Sequence, residues 1–435
     1  MTAAPTPDRR LAEAEWLTAA TTRRVLAALE REGHAARIVG GAVRNTLLGR
    51  AVTDIDIATD ALPEQVMRLA ASAGLGAVPT GLKHGTVTVI ADHHPFEVTT
   101  LRRDVDTDGR HATVAFTDDW QADAARRDFT INALYCDARG VLLDPVGGLP
   151  DLERRHVRFI GDPHARIRED FLRILRFFRF SAEYGEGRLD AEGLAACVSE
   201  KAGLARLSAE RVRSELLKLL VAPASHPGIE AMGRAGLITP LIGRAGNVAA
   251  FERITAIAQR AADAGAPTRP FRVGGALARL AALADATPAD AAELMQQLRL
   301  SRAEADHMSA LAKVANLAGA DPHGAHGPPD GRTLRAAAYR HGTAAACDGL
   351  MLAWARGSAA TDDPEWLTAL AAIAQWPPPV FAFSGEDVLA HGVAPGKRVG
   401  EILRALEDWW IAADFPADHA RINDELTRLV MVSKE

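Results

Sequence analysis

The chain has 435 residues, 48% hydrophobic and 24% charged, with a formal net charge of −6 at pH 7. That length calls for two to four domains rather than one core, and the negative charge means that any RNA partner must be met by locally concentrated basic residues. No apolar run is long enough to span a membrane, and three scattered cysteines (Cys136, Cys197, Cys347) make neither a disulfide framework nor a zinc site. The opening MTAAPTPDRRLAEAEW has no apolar signal core, so a cytoplasmic location is expected. A helix is predicted from about Ala12 to Glu32, with a stripe of Trp16, Leu17, Val25, Leu26 and Leu29, closed by Gly33.

The next stretch organises the rest: RIVGGAVRNTLLGRAVTDIDIATD, Arg37 to Asp60. It reads as a short strand (Ile38, Val39), a two-glycine turn, a helix carrying Val43, Leu47 and Leu48 and ended by Gly49, then a second strand with Asp54 and Asp56. Alternation along a strand projects the two aspartates together while Ile55 and Ile57 turn inward. Two carboxylates on one face repel unless a cation lies between them, and an oxygen-only donor set suits Mg²⁺. Gly40 and Gly41 lack Cβ and let a phosphate approach backbone N–H groups. The stretch resembles the signature of polymerase-beta-like nucleotidyltransferases, in the branch of class II CCA-adding tRNA nucleotidyltransferases and bacterial poly(A) polymerases, which reads GGxVRDxLLG followed by DxD. Asn45 stands where that family has Asp, so an ionic role is not expected there.

Leu62 to Ala73 reads as a helix, and GTVTVI (85–90) with PFEVTTLR (95–102) as a hairpin across the turn at 92–94. Glu97, between Phe96 and Val98, is either a third carboxylate beside Asp54 and Asp56 or a hydrogen-bonded strand residue; the family's similar EVTT context favours the first. Residues 103–119 are polar and poorly periodic, a mobile loop or irregular hairpin. In ARRDFTINALYCD (125–137), Phe129, Ile131 and Leu134 are expected inside, and Asp128 to cap a helix. The resemblance implies that Arg127 and Asp128 contact the nucleotide and its ribose. In LLDPVGGLPDL (142–152), Asp144 and Asp151 are expected to bond turn amides.

REDFLRILRFFRFSAEY (168–184) is predicted as one helix, with Asp170, Arg173, Arg176 and Arg179 along a drifting stripe. With Arg166 and Arg168, these arginines concentrate charge within fourteen residues. Asp only accepts and a charged Arg only donates. Side by side they complement the amino group and ring nitrogen of cytosine or adenine, whereas uracil and guanine present the reverse order. A two-point mismatch at ~1–3 kcal/mol each disfavours UTP and GTP by on the order of a hundredfold. The pattern is similar to the family's EDxxR element, here Glu169-Asp170-x-x-Arg173, whose Asp and Arg pair with the incoming base. The resemblance also turns Arg176 and Arg179 toward the nucleotide or primer end, and gives Glu169 the task of orienting Arg173 or capping the helix.

LSAERVRSELLKLL (207–220) reads as a helix started by Ser208 that braces its predecessor. Residues 225–375 are alanine-rich with helical periodicity, interrupted by a loop at 320–332 whose His323 and His326 are read as solvated. After WPPPV (376–380), a helix, the turn GVAPGKRVG with Lys397-Arg398, and a second helix carrying Trp409 and Trp410 are expected, the tryptophans in the core.

The resulting expectation is an α+β fold, with a nucleotidyltransferase head of mixed sheet and flanking helices at 12–150. Base-reading neck helices follow at 151–222, a helical body at 223–376 and a tRNA-binding helical tail at 380–435. The resemblance implies template-independent addition of C and A from CTP and ATP to the 3′ end of tRNA. Asp54 and Asp56, joined by Glu97, would hold two Mg²⁺ ions, with Gly40, Gly41, Arg44, Arg127, Asp128, Asp170, Arg173, Arg176 and Arg179 around the nucleotide. Poly(A) polymerase, an enzyme adding only A, and a non-catalytic RNA-binding protein are the alternatives; no membrane or protein partner is expected.

Overall fold

The computed structural model describes residues 6–108, 111–265, 274–318 and 327–432. They form two compact units, residues 1–240 and 241–435.

In the first unit the expected long N-terminal helix is three short ones, α1 (Arg9–Ala12), α2 (Glu15–Thr18) and α3 (Ala20–Leu29). They are broken where Ala14 and Ala19 have non-helical backbone. Leu17, Val25, Leu26 and Leu29 are nonetheless buried. The chain continues through β1 (Ala36–Val39), α4 (Gly41–Leu47), β2 (Asp56–Thr59), α5 (Pro63–Ser72), β3 (Gly76–Gly81), β4 (Thr86–Ala91) and β5 (His94–Thr100). Next come β6 (Arg102–Asp108), β7 (His111–Phe116), α6 (Trp120–Ala125), β8 (Tyr135–Cys136) and β9 (Leu142–Leu143). Among the described residues seven strands form one mixed sheet in the order β3-β4-β5-β2-β1-β8-β9, which puts β2 at its middle. The expected hairpin is present as β4 and β5, turning through Asp92 and His93 at φ 47° and 67°. The 103–119 stretch pairs β6 with β7 across a register shift between Asp104 and Asp106, an irregular hairpin whose residues 109–110 lie outside the described residues.

α7 (Gly148–Glu153), α8 (Pro163–Glu169), α9 (Leu172–Tyr184), α10 (Ala191–Ser199), α11 (Ala209–Leu220) and α12 (Ser225–Arg234) complete the unit. α9 buries Ile174, Leu175, Phe177 and Phe178 and packs against α11 and α12. The expected boundary at 222/223 therefore falls inside this unit, because α12 lies on α9 with Gly228 against the Phe178 ring. Asp144 accepts from the Gly148 and Leu149 amides as expected. Asp151 instead binds the Thr130 hydroxyl and the Arg158 guanidinium, at 2.6 and 2.7 Å.

The second unit is helical from Val248–Asp263 to His419–Val432. His323 and His326 lie outside the described residues. The last helices enclose their own core of Val388, Ile402, Leu406, Trp410, Ile422 and Leu426, with Trp409 half-buried at its edge. No described helix is long and apolar enough to cross a membrane.

Candidate active site

β2 is where the acidic residues meet. Val39 of β1 lies opposite Asp56 on one side, and Glu97 of the parallel strand β5 lies opposite it on the other. Side chains at matched positions on neighbouring strands stand on one face, so Asp56 and Glu97 point together. Asp54 is not in the strand: it sits two residues before β2, with its Oδ2 accepting from the Thr53 hydroxyl at 2.9 Å. The two aspartates therefore share a cavity without sharing a strand, and Ile57 is buried while Ile55 is only half-buried. Asp54, Asp56 and Glu97 line an opening of about 1080 Å³.

Desolvation in the cleft, then repulsion from Glu97 and Asp54, pushes the Asp56 carboxyl above the usual range, with Arg127 opposing. Asp56 keeps solvent access, and a cation would relieve the crowding of like charges around it. Among the described residues no three His, Cys, Asp or Glu side chains close into a ready-made metal cage. The donor set thus fits a hard cation that takes one or two carboxylates and fills its shell with water and phosphate oxygens.

On the β1 side a second cavity of about 410 Å³ has Asp56 at one end. Gly40, Gly41, Arg44, Arg127, Asp128, Asp170, Arg173 and Arg176 line it, as do Arg126, Asn132 and Phe180. Gly40 has φ 71° and ψ −114°, a backbone that side-chain-bearing residues avoid, and this turn delivers the chain into α4. Arg44 is 7% exposed. It donates to the Asn132 Oδ1, to the Asn45 Oδ1 at 3.0 Å and to the Tyr184 hydroxyl at 2.7 Å, and lies 3.9 Å from the Tyr184 ring centroid. These hydrogen-bond partners are neutral, and burial lowers the Arg44 pKa against the pull of Tyr184, Glu183 and Asp128, so an anion entering the cavity meets a cation with no carboxylate bonded to it. Asn45 also donates to the Ala51 carbonyl at 3.0 Å, which an aspartate could not do.

The RRD segment is braced from two sides. Arg127 is held by Asp123 at 3.0 Å and the Tyr135 hydroxyl at 3.1 Å. Asp128 accepts from the Phe129 amide and the Asn132 amide group, each at 2.9 Å, and from Arg176 Nε at 2.8 Å. Burial alone would raise the Asp128 carboxyl, but Arg176 and Asn132 hold it below its usual range. Phe129, Ile131 and Leu134 are buried as expected.

The base-reading stretch is not one helix. α8 ends at Glu169, Asp170 is extended at φ −154° and ψ 105°, and α9 starts at Leu172. Asp170 therefore leaves the arginine stripe and begins the second helix. Its Oδ1 accepts from the Leu172 amide at 3.1 Å and its Oδ2 from Arg211 at 2.6 Å. Arg173 donates to Glu169, to the Arg166 carbonyl at 2.7 Å and to the Arg126 carbonyl at 3.1 Å. Glu169 thus orients Arg173, and Asp170 and Arg173 remain in one cavity although no bond between their side chains joins them. Arg179 is not among the lining residues; another turn along α9, it is drawn to Glu215 of α11 at 2.6 Å and Glu183 at 3.0 Å. Sequence reasoning missed Arg126, Asn132 and Phe180, of which the first two lie inside the quoted RRDFTIN run.

Residues 36–158 match the family model described as "Poly A polymerase head domain", and residues 188–243 the one described as "Probable RNA and SrmB- binding site of polymerase A". Over 384 residues the chain is 35% identical to "CCA tRNA nucleotidyltransferase 1, mitochondrial" of Mus musculus, covering 87% of this chain and 83% of the relative. It belongs to the class II CCA-adding tRNA nucleotidyltransferase family. Within that family it is also 40% identical over 226 residues to the CCA-adding enzyme of Geobacillus kaustophilus, 52% of this chain and 55% of the other. The fold is similar to that of the Bacillus stearothermophilus CCA-adding enzyme in complex with CTP, at a TM-score of 0.70 and 28% identity over 94% of this chain and 97% of that one.

Proposed function

We propose that the protein adds C and A nucleotides, taken from CTP and ATP, to the 3′ end of tRNA without a nucleic-acid template. The observation that carries this reading is the single cavity in which Asp56, the Gly40–Gly41 turn and the Asp170/Arg173 pair face one space. Asp54 and Asp56 would hold Mg²⁺, two ions in this reading, and the metal would supply charge stabilisation for the attacking 3′-oxygen and the departing pyrophosphate. Glu97 adds a third carboxylate on the same face. The glycine turn and Arg44 bind the triphosphate, and Arg44 suits this because no carboxylate is bonded to its guanidinium. Arg127 adds positive charge at the β2 end. Asp170 accepts from the base amino group while Arg173 donates to the ring nitrogen, each pre-oriented by Arg211 and Glu169. Asp128 and Arg176 form the wall behind the ribose. The helical second unit is assigned to holding tRNA by shape and backbone. A cytoplasmic location belongs to the same reading, since the three cysteines are free and buried, as expected where thiols stay reduced.

The test offers a tRNA lacking its 3′ end with CTP alone, ATP alone, and both. Two added nucleotides with CTP and three with both are expected. A long tail of A instead identifies a poly(A) polymerase, and a requirement for a pre-existing CC end identifies an A-adding enzyme.

A further inference from the structure

Two cavities meet in the head, and Asp56 is the one residue lining both. The sheet order explains the arrangement: β1 and β8 lie on one side of β2, with the glycine turn and the RRD segment, while β5 and β4 lie on the other, with Glu97 and Thr88. The smaller cavity holds the glycine turn, Arg44 and the Asp170/Arg173 pair, the groups assigned to the triphosphate and the base. The larger, about 1080 Å³, holds none of them, and opens onto Trp16, Thr46, Arg50, Thr53 and His94. A transfer reaction needs its acceptor at the same carboxylates, on the side away from the donor nucleotide.

We propose that this larger cavity seats the 3′-terminal nucleotides of the RNA acceptor, with the Trp16 indole as the surface against which a terminal base stacks. Trp16 is fixed rather than loose. Its Nε1 donates to the Thr46 hydroxyl at 2.7 Å, and that hydroxyl donates to the Ala42 carbonyl at 2.8 Å. The indole is thereby pinned to α4, the helix that begins at the glycine turn, and both cavities are set by one element. The ring is only half-buried, which leaves apolar surface facing the opening. Arg50 is exposed, with its guanidinium 5.0 Å from the Tyr184 ring centroid and at the cavity wall, placed for a backbone phosphate. A stacked base tolerates sequence differences because every base has a π-face. That is what an acceptor site requires if its terminal nucleotide changes from one addition to the next.

This inference rests on the nucleotidyltransferase reading. Its test uses the full chain, a tRNA ending in CC, and ATP, and measures KM separately for tRNA and ATP. Trp16→Ala is expected to raise the tRNA KM roughly tenfold while leaving the ATP KM unchanged, and Trp16→Phe to restore most of the loss. Arg50→Gln, which removes an exposed charge and its contact with the Tyr184 ring, is expected to raise the tRNA KM and to flatten its dependence on salt. Unchanged tRNA KM in both Trp16→Ala and Arg50→Gln, or ATP KM values that rise in step, overturns the subsite. Wild-type protein that adds nothing to tRNA overturns the function instead, so the two failures are separable. If Trp16→Ala melts early, Arg50→Gln decides alone.

Discussion

At the scale of single residues, the site contrasts guanidiniums bonded to carboxylates with one bonded only to neutral oxygens. Arg127, Arg176 and Arg179 have carboxylate partners within the protein, whereas Arg44 has only amide and hydroxyl oxygens. The opposite imbalance holds at Asp56, whose carboxyl is pushed up by burial and by Glu97 and Asp54. A group raised in the folded state contributes stability below its ordinary pKa and loses it as pH rises, so at neutral pH Asp56 opposes folding until a cation binds. Millimolar Mg²⁺ is therefore expected to raise the melting temperature of the wild type and not of Asp54→Ala. The same variant is expected to lose nucleotide incorporation by roughly a thousandfold or more with its fold intact. Substantial turnover in Asp54→Ala removes that aspartate from the metal site. Arg173→Ala is expected to narrow the preference for CTP over UTP by about tenfold or more, and an unchanged ratio contradicts pairing of that guanidinium with the base.

At the scale of elements, the break between α8 and α9 matters most. Phe171, next to Asp170 at this junction, packs where Gly203 leaves no side chain: a Cβ on Gly203 would lie 2.0 Å from the Phe171 ring. Gly203→Ala must displace the ring and, with it, the junction that holds Asp170. Destabilisation of about 1–3 kcal/mol is expected, together with weaker discrimination between CTP and UTP. A variant that melts lower but selects normally separates the junction from base choice. The break was not legible in the sequence, because Asp170 lies in register with the arginines and REDFLRILRF contains neither glycine nor proline. What sets it is tertiary: Asp170 starts α9 with one carboxylate oxygen and takes Arg211 from α11, forty-one residues away, with the other. By contrast, the glycine turn, the β4–β5 hairpin and the inward Phe129, Ile131 and Leu134 were legible, since each is written in local spacing. Asp54 misled because alternation gives the face of a residue but not where pairing begins.

At the scale of the whole molecule, acid should weaken the first unit through two buried carboxylates. Asp123 and Asp128 are pushed up by burial, yet their arginine partners hold both below the usual range. Carboxylates depressed on folding stabilise above their unfolded pKa, about 3.9, and lose that contribution as pH falls through the lower folded values. Unfolding monitored by fluorescence is expected to hold steady near neutrality and weaken below about pH 4, and Asp128→Asn is expected to flatten that acid limb. An acid limb of unchanged steepness would falsify the role given to the Asp128–Arg176 bond. The division of the chain at residue 240 was beyond sequence reading, because alanine-rich helices look alike on either side of it. The packing of α12 on α9 and α11 assigns the intervening stretch to the first unit.

One carboxylate common to two chambers has a kinetic consequence. With the acceptor seated in the larger chamber, as proposed, donor and acceptor need not wait for each other, so neither has to bind first. Initial-rate plots against one partner at several fixed levels of the other are expected to give intersecting lines, and a dead-end analogue of either to compete only with its own counterpart.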